Sequence, residues 1–462
     1  MDINDLLNNP FNKKIHFIGI GGSSMSGLAQ MLNNIGCIIS GSDINDNKHT
    51  ALLREKGFLV NIGHSTSYIV NPDAVIYTAA INPDNPELLE SFRKNILTID
   101  RATLLGAIMK KFSFSIAISG THGKSTTTSM ISSIMLSAEK DPTIHIGSDF
   151  PLIGGNIRIG NSEIFISEAC EYKDSFLKFL PYIVIILNIE LDHVDYFKDI
   201  EQYICSFRNF AMKVPKDGFV IGCIDDKNIR DLLPQLDCNI ATYGVTSEDA
   251  DYRATDITFD ESGLPTYTLL INQKEATAIT LSVPGLHNIL NSLASIATAF
   301  AGRCSIESIK HGLLNFTGAS KRYDIKGVRN GIKVIDDYAH HPTEIRATLA
   351  AIRNSKHNKI WCVFQPHTYT RLKKFESDFM EALKYADGII ITSVYAARET
   401  ADERVNPARL SASLNECGKE AYFIKDFQDI SDFLREHTVF GDIIVTLGAG
   451  DICKVGEMFL VE

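Results

Sequence analysis

Residues 116–128 read IAISGTHGKSTTT: an apolar run, then two glycines, a lysine and four consecutive hydroxyl side chains. A helical pattern continues over 125–135. Strand, glycine turn and helix in that order build a phosphate cradle, and this constrains the fold more than any other part of the chain. Gly120 and Gly123 let the backbone approach phosphate oxygens. The N–H groups at the helix start converge where the helix dipole favours negative charge. Lys124 reaches the terminal phosphates, and the Ser125 hydroxyl is placed to ligate Mg²⁺. The full motif carries a glycine five residues before Gly123; that position is Ile118, so the loop is a shortened one. The plainer alternative is a strand–turn–helix corner that carries GKS by accident. The strand before and the helix after favour the cradle.

The 462 residues suggest about three domains. Hydrophobic residues make up 45% and charged residues 22%, the balance of a globular protein with real cores. The net charge is −11 and the bases are dispersed, which argues against a nucleic-acid partner. An acidic chain that binds phosphates must focus positive charge locally, so lysines and arginines inside motifs gain weight. Nine cysteines between Cys37 and Cys453 show no C-x-x-C spacing and read as reduced thiols in a cytoplasm. The polar stretch 1–10 does not read as a signal peptide, and the longest apolar run, 182–187, is far too short to cross a bilayer. No membrane partner is expected.

Taken in order, the chain opens with a strand over 14–18, a glycine-rich turn over 19–27, a helix over 28–33 and a strand over 37–40 that leads to Asp43. This is a βαβ unit. The dinucleotide fingerprint is met at Gly19 and Gly21 but has Ser24 in third place, which disfavours a nicotinamide cofactor. The diphosphate of a nucleotide sugar would use the same backbone donors, and a turn without ligand is the third reading. His64, after Gly63, is either a ligand contact or a solvated loop residue. Further pieces follow as a strand over 73–80, a helix over 86–94, a strand over 96–99 and a helix over 104–111.

After the phosphate loop, strands over 163–168 and 182–188 end near Glu168, Glu171, Asp174, Asp192, His193 and Asp195. Any one of these is commonly a cap or a surface charge. Glu168 and His193, both terminating apolar strands beside the cradle, point together to Mg²⁺. Segment 218–281 reads as an antiparallel extension of the sheet. A helix runs from 284 through 300; Asn288 and Asn291 share one of its faces and either read an adenine edge or cap the preceding loop. From 318 onward, strands over 332–335, 360–364, 388–392 and 443–447 each end in polar or glycine residues, the edge at which open α/β sheets bind ligands.

These stretches resemble the Mur ligase family of peptidoglycan synthesis over roughly residues 14–451. The resemblance rests on residues 19–27, 120–128, 336–344 (DDYAHHPTE) and 365–371. DDYAHHPTE with GTHGKS is similar to the branch that adds the first amino acid. The resemblance implies three α/β domains: a Rossmann-like domain over 1–111 for the UDP-sugar, a central P-loop ATPase-type mixed sheet over 112–318, and a Rossmann-like domain over 319–462 for the amino acid. It implies ATP-dependent joining of L-alanine to the lactyl carboxylate of UDP-N-acetylmuramic acid through an acyl phosphate, by a cytoplasmic monomer or homodimer in cell-wall biogenesis.

On this resemblance ATP lies on Gly120, Thr121, His122, Gly123, Lys124, Ser125 and Thr126, with Asn291, Arg322 and Asp337 completing its site. Mg²⁺ joins Ser125 and Glu168, with a second ion near His193. The UDP-sugar takes Gly21, Gly22, Ser23, Ser24, Asp43, His64 and Thr78. The amino acid takes His341, His367, Arg371 and Arg398. Lys124, Glu168, His193, Arg322 and His341 carry the chemistry. Many relatives have an acid where Cys170 stands, and an arginine where Thr368 stands; Arg371 or Arg398 would then hold the amino-acid carboxylate. No lysine for carbamoylation is found near Phe207 and Arg208. The alternatives are a recycling ligase that joins a murein peptide to the same sugar, a Rossmann NAD(P)-dependent oxidoreductase, and a non-catalytic nucleotide-binding regulator.

Overall fold

The computed structural model describes residues 2–397 and 399–461. The chain divides into two compact units. The first runs through Ile189 and adds Glu201–Gly222 and Asp226–Ala241; the second holds Glu190–Ile200, Cys223–Asp225 and everything from Thr242.

The first unit contains a five-stranded sheet of β1 (Lys14–Ile18), β2 (Ile38–Asp43), β3 (Leu59–Ile62), β4 (Ala74–Tyr77) and β5 (Leu97–Asp100), in the order β3-β2-β1-β4-β5. All pairings are parallel. The order reverses direction beside β1, so the turn at Gly19 sits at the switch point where such sheets bind ligands. The helix after that turn spans Ser23–Asn34, starting earlier than the expected residue 28. Helix Lys48–Glu55, fixed by an Asn47 cap, and β3 were not expected.

A second run of strands comprises β6 (Phe114–Ser119), β7 (Thr143–Phe150), β8 (Gly155–Arg158), β9 (Ile164–Glu168), β10 (Ile183–Ile186) and β11 (Phe219–Cys223), side by side as β11-β10-β6-β9-β7-β8. All are parallel except β8. β10 is wholly apolar and buried, and β6, apolar but for two serines, is buried after its first residue, as strands covered on both faces require. β6 therefore lies inside the sheet, and its carboxyl end delivers the glycine turn to the sheet's edge.

In the second unit, the end of β12 (Asn239–Gly244) pairs parallel with β13 (Tyr252–Phe259). Antiparallel pairing with β14 (Pro265–Ile271) and β15 (Lys274–Thr280) follows. The antiparallel reading of 218–281 thus holds for β13–β15 only. A third sheet has the order β16-β17-β21-β18-β19-β20, from β16 (Asp324–Arg329), β17 (Ile332–Asp337), β18 (Ile360–Phe364), β19 (Gly388–Ile391), β20 (Glu420–Phe423) and β21 (Ile443–Leu447). Only β16 is antiparallel to its neighbour. Its two faces pack separate cores, one around Ile335, Phe364 and Phe379, the other around Trp361, Ile444 and Phe459. Among the described residues no helix is long and apolar enough to cross a membrane.

Candidate active site

The phosphate loop is built by positive backbone angles. Gly120 has φ 135° and Gly123 φ 85°, and a Cβ at Gly120 would lie 2.9 Å from that of Leu187. Asn188, just beyond β10, clamps the loop from both sides. Its side-chain oxygen accepts the His122 N–H at 2.8 Å, its amide donates to the His122 carbonyl at 3.2 Å, and its own carbonyl accepts the Thr121 N–H. The helix Lys124–Ser137 begins directly after Gly123, one residue before the expected start, with Ser125 and Thr126 in its first turn.

Lys124 donates to the carbonyls of Gly120 (2.5 Å) and Thr121 (3.0 Å) and to Glu171 (3.0 Å). Burial pulls its ammonium down, but the Glu171 carboxylate, together with Cys170 and Glu168, outweighs that and holds its pKa above the usual lysine value. Glu171 also accepts from the Tyr203 hydroxyl at 3.2 Å. Glu168 closes β9, and one carboxylate oxygen accepts the Gly147 N–H at 2.8 Å. A Cβ at Gly147 would lie 2.8 Å from the other oxygen, so the close approach requires glycine there.

At the turn after β1, Asp43 accepts the Gly21 N–H at 2.9 Å, so that donor faces Asp43. Gly22 N–H faces the Gly19 carbonyl, and Thr78 packs where a Cβ at Gly19 would be. Ser23 is held by the Asn156 amide at 3.0 Å from its hydroxyl. Ser24 accepts from Arg101 at 2.9 Å and meets His145 Nε2 at 2.9 Å. His64 is not a freely solvated loop residue. Its Nδ1 lies 2.7 Å from Glu87, a fully buried carboxylate that also takes His16 Nε2 at 2.6 Å and the Ser42 hydroxyl. Burial pushes the Glu87 pKa up, yet hydrogen bonds from His16, Ser42 and His64 bring it below the usual value.

In the second unit, DDYAHHPTE forms the end of β17 and the start of helix Pro342–Arg353. His341 is the N-cap, its Nδ1 accepting the Thr343 N–H at 3.3 Å, and Glu344 returns a bond to His340 N–H. Arg322 lies 3.6 Å from Glu344 and over the Tyr338 ring. Asp337 accepts from Ala339 N–H and the Thr348 hydroxyl. Burial nevertheless raises its pKa to about 6, against the opposing charge of Arg322. Asn288 donates to the Pro284 carbonyl at 2.7 Å and accepts from Asn291, so Asn288 closes the preceding loop.

Arg371 donates to Asp192 at 2.8 Å and to His367 Nδ1 at 2.9 Å. Burial and the Arg371 charge push His367 down to about 4. His367 stacks on Tyr395, and Thr368 caps the helix Tyr369–Lys374. Two of the five Arg371 donors are thus engaged within its own unit. Arg398 lies outside the described residues. Ser125 and Glu168 belong to the first unit and His193, with φ 51°, to the second. Sequence reading missed Asn188, Tyr203, Arg101, His145 and Glu87, whose spacing from their partners carries no local signal.

The chain matches three family descriptions: "Mur ligase family, catalytic domain" over 14–113, "Mur ligase middle domain" over 118–299, and "Mur ligase, glutamate ligase domain" over 321–450. It is 52% identical over 450 residues to UDP-N-acetylmuramate–L-alanine ligase of Acetivibrio thermocellus, covering 97% of this chain and 96% of that protein. The chain belongs to the Mur ligase family. The namesake ligase of Clostridium perfringens is 46% identical, with 99% of both chains covered. The crystal structure of UDP-N-acetylmuramate–alanine ligase from Thermotoga maritima matches with a TM-score of 0.82 and 29% identity over 97% of this chain and 98% of that one. A murein peptide ligase from Psychrobacter arcticus shares the fold with a TM-score of 0.71, at 22% identity over 97% and 98% of the two chains. The chain accordingly has the three-domain α/β fold of the Mur ligase family and is, like its members, an ATP-dependent ligase.

Proposed function

We propose that this protein joins L-alanine to the lactyl carboxylate of UDP-N-acetylmuramic acid, in peptidoglycan precursor synthesis in the cytoplasm. The observation that carries the reading is the carboxyl edge of one sheet in the first unit. Lys124 stands there on the glycine turn after β6, and Glu168 ends the adjacent β9. We take the domain boundaries as 1–111, 112–318 and 319–462.

The residues present fit Mg²⁺–ATP. A half-buried lysine beside a left-handed glycine turn suits the terminal phosphates, and the Ser125 hydroxyl and Glu168 carboxylate are the hard oxygen donors that Mg²⁺ takes. When bound, the ion would neutralise charge on the phosphates. Gly120 to Thr126 cradle ATP, and Lys124 draws the γ-phosphate toward the sheet edge. The turn Gly21 to Ser24, with Asp43, His64 and Thr78 around it, holds the UDP-sugar so that its carboxylate faces that phosphate. A carboxylate oxygen forms a bond to the γ-phosphorus as the bridging oxygen leaves with ADP. The neutral amine of alanine then attacks the acyl carbon, phosphate departs, and the amine gives up a proton. Asn291, Arg322 and Asp337 would serve the nucleotide, His193 would hold a second ion, and His341, His367 and Arg371 would serve the amino acid.

The test is phosphate release with UDP-N-acetylmuramic acid and amino acids supplied in turn. Release that needs both the sugar and alanine supports the reading. ATP turnover indifferent to the sugar contradicts it, and a preference for a tripeptide over alanine makes the chain a recycling ligase.

A further inference from the structure

Arg101 opens the helix Arg101–Met109 directly after β5. Its neighbour Asp100 is committed to the helix cap, accepting from the backbone of Ala102 and Thr103 and from the Thr103 hydroxyl. The side-chain partner of Arg101 is the Ser24 hydroxyl, at 2.9 Å from Nη1. Among the described residues no carboxylate lies within ion-pair reach of it. A half-buried guanidinium with only a neutral partner, in a chain of net charge −11, lacks the anion that such groups are normally given.

The hydrogen bonds beyond Ser24 have one consistent direction. A guanidinium only donates, so Ser24 accepts from Arg101 and turns its own proton to His145 Nε2. His145 is buried on β7, and burial, reinforced by the Arg101 charge, pushes it down to about 4, so the ring is neutral. Its Nδ1–H then donates to the Ser167 hydroxyl at 3.1 Å, and Ser167 donates to the Glu168 carbonyl at 3.1 Å. The chain of bonds runs from Arg101 to the end of β9. The Cys170 thiol, two residues further, is pushed up to about 11 by burial and Glu171, while the charges of both Lys124 and Arg101 pull it back. Arg101 is therefore held on the side of the first-substrate turn that leads to the phosphate loop. With Nη1 fixed by Ser24, its Nε and Nη2 edge is the planar fork that matches a carboxylate.

We propose that Arg101 binds the carboxylate of the first substrate and aims it at the γ-phosphate. This rests on the reading given under Proposed function, in which that carboxylate is the group phosphorylated. Arg101 would then be a catalytic residue, and Ser24, His145 and Ser167 positioning residues behind it.

The first substrate carries two anions, its carboxylate and its diphosphate, and calorimetric titration of the full chain separates them. The probes are UDP-N-acetylmuramic acid and UDP-N-acetylglucosamine, which has the same diphosphate and no lactyl carboxylate. Arg101→Ala is expected to weaken binding of the first roughly ten- to hundredfold and of the second less than twofold, with Arg101→Lys recovering part of the loss. Equal losses for both ligands would assign Arg101 to the diphosphate and overturn the inference, as would no loss for either. A loss in Arg101→Ala that Arg101→Lys does not recover in part would count equally against it. Wild-type protein that binds neither ligand would instead overturn the reading on which the inference rests.

Discussion

Asp192→Ala removes the carboxylate from a buried ion pair, and the cost follows from what it leaves behind. Asp192 and Arg371 are each 9% exposed and 2.8 Å apart. Without Asp192 the guanidinium keeps one neutral partner, His367 Nδ1, and its Nε is already buried without a hydrogen bond. Removing one partner of a buried pair typically costs about 3–5 kcal/mol, because the surviving charge is stranded in low dielectric. Changing both, as Asp192→Leu with Arg371→Met, is expected to cost less than the single change. Burial pushes the Asp192 pKa up, but Arg371, with the charges of His193 and His340, more than reverses this and holds it far below the usual range. The pair's contribution is thus fully present above about pH 4 and is lost as pH falls toward the depressed native value. Amide hydrogen exchange in the helix Tyr369–Lys374 reads the effect locally. Asp192→Ala should speed exchange there by roughly two to four orders of magnitude at pH 7. His367, whose pKa Asp192 supports, should fall further below about 4 in a histidine NMR titration. Exchange within tenfold of wild type, or a double variant as costly as the single one, would refute the reasoning.

Three further outcomes follow from the same geometry. Lys124→Ala should cut ligation by about 10³-fold or more and, because it strands the buried Glu171 carboxylate, should also lower stability; adding Glu171→Gln should recover stability in denaturant unfolding but not ligation. Gly147→Ala places a Cβ 2.8 Å from Glu168 and should raise the Mg²⁺ concentration needed for half-maximal rate by roughly tenfold. Asp337, raised to about 6, keeps a proton in the native state that the unfolded chain releases near its ordinary value of 3.8. Stability should therefore fall as pH rises between those values. Asp337→Asn should flatten that slope, a difference of about 3 kcal/mol in denaturant unfolding across the window.

The phosphate loop was legible because its signal is local: a buried strand, two glycines that need left-handed angles, and a helix beginning within one residue of its expected start. The helix at Ser23 was placed five residues late because three serines open it and Gly22 provides no side-chain cap. β7 went unread because a buried polar residue, His145, and the Gly147–Ser148 pair interrupt its apolar pattern. The site's supports were illegible for a different reason. Ser24 meets Arg101 across 77 residues and His145 across 121, and Lys124 meets Glu171 across 47. Only the folded sheet brings such pairs together. Asp192 and Arg371 were visible as motif residues, but their burial against each other was not. Arg371 was read as a holder of the amino acid, and its bonds to Asp192 and His367, which take two of its five donors, were not foreseen.

The most direct test of phosphoryl transfer to the sugar is the fate of carboxylate oxygen. UDP-N-acetylmuramic acid labelled with ¹⁸O in its lactyl carboxylate is incubated with the protein, ATP, Mg²⁺ and L-alanine, and the released phosphate is analysed by mass. Attack of the carboxylate on the γ-phosphorus predicts one ¹⁸O in each phosphate formed from fully labelled sugar. Unlabelled phosphate, with or without amide product, would contradict the account.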